Sequence, residues 1–297
     1  MNTKTQIPES ELILNADNSV YHLNLKPEDI ADTIILVGDK DRVPLISSFF
    51  NSIEITKQKR EFVTHTGFYK NKRISVLSTG IGTDNIDIVL NELDALANID
   101  LEKRTIKEKS KSLNFIRIGT CGAIHEEIPI NSFIVSHYGL GFDNLLKFYK
   151  CNYRKDEKEI YDKLKLFLKQ KNTELPFYLF AASEKMKKYF SGEYFKGITI
   201  TAPGFFGPQG RSVRTELTYP KLIDALGEFE HKGNKILNFE METSAIFGLS
   251  RILGHNAITV DLVLANRITK QASANYNHKM KDLAVQVLDI ISKGKDL

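Results

Sequence analysis

The sequence predicts an α/β fold: one domain with a mostly parallel central sheet flanked by helices. Three observations carry this. Short apolar runs recur from the first third of the chain to its end, each closed by turn residues. Helical periodicity follows these runs, so strands alternate with helices, the pattern of a sheet covered on both faces. No Pro/Ser-rich linker or internal repeat divides the 297 residues, a length that one large α/β domain fills.

Ile34-Ile35-Leu36-Val37 leads into Gly38-Asp39, and Asp41 with Pro44 signals a helix just beyond. Ile74-Ser75-Val76-Leu77 leads into Ser78-Thr79-Gly80-Ile81-Gly82. The next helix carries apolar Ile86, Val89, Leu90, Leu93 and Leu96 at helical spacing. Further strands are expected at 115–118, 133–135, 177–181, 198–201 and 258–264, and helices at 160–169, 220–229, 241–253 and 280–291. Residues 98–112 and 145–174 are polar and interrupt the alternation, so they read as surface insertions. Ligands of such sheets gather beyond the carboxyl ends of the strands, where the glycine-rich stretches lie.

Net charge is +4, and the excess sits in lysine-rich stretches at 103–111 and 154–171 mixed with acids. Solvated helix faces explain these better than a nucleic-acid groove, so no nucleic-acid partner is expected. Cys121 and Cys151 form no Cys-x-x-Cys pair and read as free thiols of a reducing cytoplasm. The first twenty residues are polar, contain Pro8 and lack the apolar core of a signal peptide, and no apolar run has the length of a membrane span. The expected location is cytoplasmic, with no membrane partner. The chain has no Gly-x-Ser-x-Gly elbow, His-Glu-x-x-His helix or Walker lysine loop, so serine-nucleophile and metal-dependent hydrolysis lack support.

Phe115-Ile116-Arg117-Ile118-Gly119-Thr120-Cys121-Gly122 places an arginine in an apolar run that ends in what reads as a glycine loop. A buried guanidinium needs a partner charge. An anion cradled by the glycines and Thr120 is one such partner, and an internal carboxylate is the other. Gly38-Asp39-Lys40-Asp41-Arg42 repeats the form, with a cation on the first helical turn, although Arg42 alone also reads as an exposed side chain. Gly80-Ile81-Gly82 lacks the third glycine of a dinucleotide fingerprint, leaving a backbone cradle or a plain turn.

Phe205-Phe206-Gly207-Pro208-Gln209-Gly210-Arg211 offers aromatic faces, an amide that donates and accepts, and a guanidinium that only donates. These match the acceptor-donor-acceptor edge of an imide such as uracil, while a glycine-rich surface loop facing water is the alternative. Asn238-Phe239-Glu240-Met241-Glu242-Thr243 reads as the opening of an amphipathic helix, its carboxylates suited to sugar hydroxyls or simply favoured at a helix N-terminus. Asn266-Arg267 is a further polar pair at a strand end, and His22 alone reads as structural.

Together these residues resemble the nucleoside phosphorylases, and most closely the uridine phosphorylases. The resemblance runs from about His22 to the C-terminal helix, leaving residues 1–19 as an N-terminal extension and 20–297 as the phosphorylase domain. It is carried by Val37-Gly38-Asp39, Arg60-Glu61-Phe62, Ser78-Thr79-Gly80-Ile81-Gly82, Arg117-Ile118-Gly119-Thr120, Gln209-Gly210-Arg211, Asn238-Phe239-Glu240-Met241-Glu242 and Asn266-Arg267. It implies a single-domain nucleoside phosphorylase-like fold with a mixed, mostly parallel sheet. It also implies phosphate-dependent cleavage of uridine, or of deoxyuridine or thymidine, to the base and a pentose 1-phosphate, with inorganic phosphate as co-substrate and no cofactor.

By this resemblance Gly38, Arg42, Arg117 and Thr120 form the phosphate site, with Arg60 contributed by a neighbouring subunit. Phe205, Gln209 and Arg211 form the base pocket, with Arg267 supporting its end. Met241 and Glu242 lie beside the ribose, and His22 reaches the 5′-hydroxyl from the partner chain. Arg117, Gln209, Arg211 and Glu242 are the expected catalytic set. The shared sites imply a homo-oligomer, at least a dimer and up to a hexamer. A monovalent cation at the subunit interface near Glu61 and Ile81 stays open, because Asn85 replaces a serine there.

Other departures are Thr83 for a glycine, Cys121 for a threonine, a reversed Gly207-Pro208 and Gly210 for an acidic residue. A nucleosidase of the same fold and a non-catalytic nucleoside-binding protein are the alternatives, with a nicotinamide-dependent oxidoreductase more remote. Purine preference is disfavoured, since Asn266-Arg267 lacks the acid expected to protonate a purine ring.

Overall fold

A strand buried on both faces must be apolar throughout, and four of the expected runs meet that demand at the centre of one large sheet. The computed structural model describes residues 6–297. In chain order the first half comprises β1 (Thr33–Val37), α1 (Arg42–Ser47), β2 (Ser52–Lys59), β3 (Phe62–Tyr69), β4 (Lys72–Ser78), α2 (Thr83–Asn98), β5 (Ile99–Asp100), β6 (Thr105–Ile106), β7 (Asn114–Ala123) and β8 (Phe133–Gly141). The second comprises α3 (Lys155–Gln170), β9 (Tyr178–Ala181), α4 (Glu184–Tyr189), β10 (Phe195–Thr201), α5 (Leu222–Gly227), β11 (Glu230–His231), β12 (Asn234–Glu240), α6 (Thr243–Ile252), β13 (Asn256–Asn266), β14 (Gln271–Ala272) and α7 (Asn277–Lys293).

The sheet order is β11-β12-β10-β8-β13-β7-β1-β4-β3-β2. β7 lies between β1 and β13 and runs parallel to both. Beyond β13, β8 turns antiparallel, and β10 and β12 follow parallel to it. β12 then pairs back onto β7 through Asn238 opposite Ala123 and Phe239 opposite Gly122. This second pairing closes β7, β13, β8, β10 and β12 into a barrel, removing edges from the strands that carry the site. On the other side, β4 lies parallel to β1, and β3 and β2 complete an antiparallel meander. The sheet is thus mixed, with parallel pairs at its centre.

Three expectations need correction. Gly119 to Gly122 are not a loop: β7 continues through them, paired residue by residue with β13. Asn238-Phe239-Glu240 end β12 rather than opening a helix, and α6 begins only at Thr243. Residues 145–174 are not a mere surface insertion, because α3 buries Ile160, Leu164 and Leu168 in a core shared with β8, β9 and β10.

The main core gathers β1, β4, β7 and β13 against α2, α6 and α7, with Leu93, Phe247 and Leu288 among its buried side chains. Within the N-terminal stretch, Leu12 and Leu14 pack on this core and Leu14 bridges Val20, while residues 1–5 lie outside the described residues. Among the described residues no helix is long and apolar enough to cross a membrane.

Candidate active site

Arg117 sits on β7 with its side chain buried, and burial alone would disfavour its charge. The carboxylates of Glu242 and then Glu240 outweigh that penalty and hold the guanidinium more firmly protonated than usual. Its Nε donates to Glu240 Oε2 at 3.2 Å, and its Nη2 donates to Glu242 Oε2. Nη1 is buried and finds no partner among the described residues. The internal-carboxylate reading of Arg117 is therefore realised, while one guanidinium nitrogen stays free for an anion.

The turn after β12 makes this possible. Glu240 accepts the N–H groups of Glu242 at 2.8 Å and Thr243 at 2.9 Å, and the hydroxyl of Thr201 at 2.7 Å. Glu240 thus caps the first turn of α6 and orients Arg117 at once. Glu242 is held from the other side by the Gly82 N–H at 2.8 Å. Gly82 has φ +98°, a conformation that L side chains rarely adopt, and this aims its N–H at the carboxylate. The glycine stretch after β4 therefore cradles Glu242 rather than a free anion. Burial, ahead of the opposing pull of Arg117, raises the Glu242 pKa above the usual carboxylate range.

A cavity of about 730 Å³ opens over this cluster. It brings together Gly38, Arg42, Glu61, Ile81, Arg117, Thr120, Phe205, Gln209, Arg211, Met241 and Glu242 from six separate stretches of sequence. Asn85, noted at the expected cation position, also lines it, with Asp39, Lys40, Phe239, Leu264 and Ala265, which the sequence did not single out as site residues. Leu264 lies at a register shift between β13 and β7, a bulge that turns both Leu264 and Ala265 onto the cavity wall.

A pair of like charges marks each end of the cavity, Arg42 with Arg117 on its wall and Arg211 on the wall with Arg267 behind it. Arg42 has a lowered pKa, first from burial and then from repulsion by Arg117. At the other end the Arg211 pKa is pushed down to about 10, first by burial and then by Arg267. A guanidinium whose charge is disfavoured by burial and by a neighbouring cation makes a place where negative charge is stabilised. Arg211 Nη1 donates to Phe205 O and to Gln209 Oε1, both at 2.6 Å, and its guanidinium carbon lies 3.8 Å from the Phe205 ring centroid. Arg267 does not line the cavity. Its Nη1 donates to Gln209 O at 2.8 Å and braces the loop from behind. Asn266 turns away to the carbonyls of His125 and Ile128.

His22 and Arg60 also lie off the cavity of their own chain, but the structure brings them together. The Tyr21 ring contacts His22 edge-on at 4.9 Å and lies 6.0 Å from the Arg60 guanidinium carbon. Glu92 fixes His22 by accepting its N–H at 2.9 Å and by facing its Nδ1 at 2.6 Å. Among the described residues no cluster of His, Cys, Asp and Glu suited to a metal ion occurs.

A sequence model of the phosphorylase superfamily matches residues 32–292 of the chain. The chain belongs to the phosphorylase superfamily. The superfamily enzyme is 31% identical over 251 residues to the uridine phosphorylase of Thermococcus kodakarensis, covering 84% of this chain and 79% of the relative. It is 26% identical to a DeoD-type purine nucleoside phosphorylase of Alkaliphilus metalliredigens, over 90% of this chain and 99% of that one. Among solved structures, a Trypanosoma brucei nucleoside phosphorylase with uridine phosphorylase activity superposes with a TM-score of 0.85. It is 30% identical, with coverage of 95% of this chain and 100% of that chain.

Proposed function

We propose that this phosphorylase is a uridine phosphorylase, in which inorganic phosphate cleaves uridine to uracil and ribose 1-phosphate. One observation carries the reading: a single cavity joins an anion end at Gly38, Arg42, Thr120 and Arg117 to an imide-matched end at Phe205, Gln209 and Arg211. β7 connects the two. Arg117 and Gly122, which lies beneath Arg267, are separated by five residues of extended chain, about 16 Å at the usual strand rise. That span suits a nucleoside with phosphate at its sugar.

Phosphate bound by Arg42, Arg117 Nη1 and Thr120 attacks C1′ as an oriented neighbour, replacing a bimolecular encounter. The glycosidic bond then stretches, the sugar gains oxocarbenium character and negative charge moves onto the departing base. Arg211 and the Gln209 amide N–H donate to the base oxygens and strengthen as that charge develops. Gln209 Oε1, already accepting from Arg211, has a second lone pair for the ring N–H. Met241 packs beside the ribose, and Glu242 binds its hydroxyls while still holding Arg117.

No covalent enzyme intermediate is needed, and phosphate is the only co-substrate. His22 and Arg60, clustered around Tyr21, complete the cavity of a second subunit, which makes the active form at least a dimer. His22 Nδ1 faces a carboxylate, so its proton belongs there and Nε2 is left to accept from the 5′-hydroxyl. A place for the enzyme in the reducing cytoplasm fits its free Cys121 and Cys151.

The test is a phosphate-dependent activity screen across uridine, thymidine, deoxyuridine, cytidine and inosine. Release of uracil from uridine only with phosphate is expected. Equal release without phosphate would establish a nucleosidase, and binding without turnover a nucleoside-binding protein.

A further inference from the structure

Asp261 stands inside the apolar run of β13, fully buried and off the cavity wall. Its Oδ2 accepts from Asn238 Nδ2 at 3.2 Å. Asn238 is itself oriented, because its Oδ1 accepts the Thr199 hydroxyl at 2.9 Å, and Thr199 lies 2.6 Å from Ser136 Oγ. β8, β10, β12 and β13 thus contribute one side chain each to a polar chain crossing the barrel interior. That chain ends at Asp261 Oδ1, which is buried and without a hydrogen-bond partner among the described residues. Facing it across the bare Cα of Gly119 is the Arg117 guanidinium. A Cβ built on Gly119 would fall 2.1 Å from Asp261 Oδ1 and 3.1 Å from Arg117 Cζ.

We propose that Asp261 is a positioning residue for Arg117: its carboxyl stays neutral behind the guanidinium, leaving Glu240 and Glu242 as the anionic partners and Nη1 directed to phosphate. This rests on the reading of the anion end as the phosphate site. Arg117 already carries two carboxylates, and a third in the same dry space has no cation of its own. Because Oδ2 accepts from Asn238, the carboxyl proton resides on Oδ1. Burial first, and the Glu240 carboxylate second, push the Asp261 pKa up to about 8 against the pull of Arg117. The other charged or titratable groups that face it are Glu242, Arg42 on α1 and Cys121 on β7, the thiol being held neutral well above that range by its burial. Loss of the proton adds a negative charge that draws Arg117 back and repels a dianion.

Calorimetric titration with inorganic phosphate alone, from pH 7 to pH 9.5, tests this in the full-length enzyme and in Asp261→Asn. Omitting nucleoside keeps Arg211 out of the readout. Wild-type affinity is expected to fall by about tenfold or more above pH 8, as it does when only the neutral form of a group binds. Asp261→Asn, which keeps the Asn238 contact and cannot ionise, is expected to bind phosphate with a flat profile. Asp261→Ala provides a second non-ionising variant with the same expected flat profile and a lower melting temperature. A high-pH loss that persists in both variants, or a flat wild-type profile, overturns the proposal. Failure of the wild type to bind phosphate at any pH overturns the phosphate site itself, a result distinct from a change in profile.

Discussion

Gly119→Ala tests the packing between Arg117 and Asp261 most sharply. The added Cβ falls 2.1 Å from Asp261 Oδ1 and 3.1 Å from both Arg117 Cζ and Nη2, on two strands locked together by their ladder. The aspartate stem is short, so relief requires β13 to shift or the carboxyl to leave Asn238. Overpacking of this kind costs about 2 to 3 kcal/mol. At about 2.1 cal/mol/K of unfolding entropy per residue, a chain of this length loses about 3 to 5 °C of melting temperature. Displacement of Arg117 weakens one charge-assisted hydrogen bond to phosphate, about 1.5 to 3 kcal/mol, or about 10- to 100-fold in phosphate KM. Differential scanning calorimetry and steady-state kinetics read the two effects. In an Asp261→Ala background the 2.1 Å clash disappears and only the 3.1 Å contacts with the Arg117 side chain remain, so the cost of Gly119→Ala should drop to about 1 kcal/mol. Equal costs in both backgrounds would refute the reasoning.

Three other outcomes follow from the same geometry. A Gly38→Ala Cβ meets Gly80 O at 3.5 Å and Arg117 Nη1 at 4.0 Å, ordinary contacts, so the melting temperature should hold while the methyl crowds the anion and raises phosphate KM about tenfold. Arg211→Ala should lower kcat/KM for uridine by about 10² to 10³ and leave phosphate KM within twofold, measured with each substrate varied in turn. The folded state keeps the Asp261 proton that the unfolded chain releases above pH 3.8, so this group's contribution to stability declines as pH rises toward about 8. The advantage of Asp261→Asn in melting temperature should therefore widen from pH 5 to pH 8.

The central strands were legible because burial on both faces forces continuous apolar runs, as in β1, β4 and β13. β2 was not, since it is an edge strand whose side chains are largely exposed. β3 was missed because its interior includes Thr64 and Thr66, the latter satisfied by a hydrogen bond to Ser75. Local chemistry misled at Gly119 to Gly122: glycines usually mark a turn, but here Gly119 makes room for a carboxyl on a distant strand. The same distance hid the ties from Glu240 and Glu242 to Arg117.

Arg117 drew attention as a charge inside an apolar run. Asp261, set among Ile258, Val260, Leu262 and Val263, carries an equivalent signal. Asp39 and Lys40 reach the cavity on a loop, Asn85 from the first turn of α2, and Leu264 and Ala265 through a bulge, placements that no local pattern encodes. Gln209 and Arg211 were legible as a pair because their complementarity to an imide needs only two residues and a rigid turn.

The central claim, that this cavity couples phosphate to a pyrimidine nucleoside, is tested most directly by product stoichiometry. Purified enzyme supplied with uridine and inorganic phosphate should release uracil and ribose 1-phosphate in equal amounts, with no free ribose, and should release nothing when phosphate is withheld. Uracil appearing together with free ribose, at a rate independent of phosphate, would contradict the account.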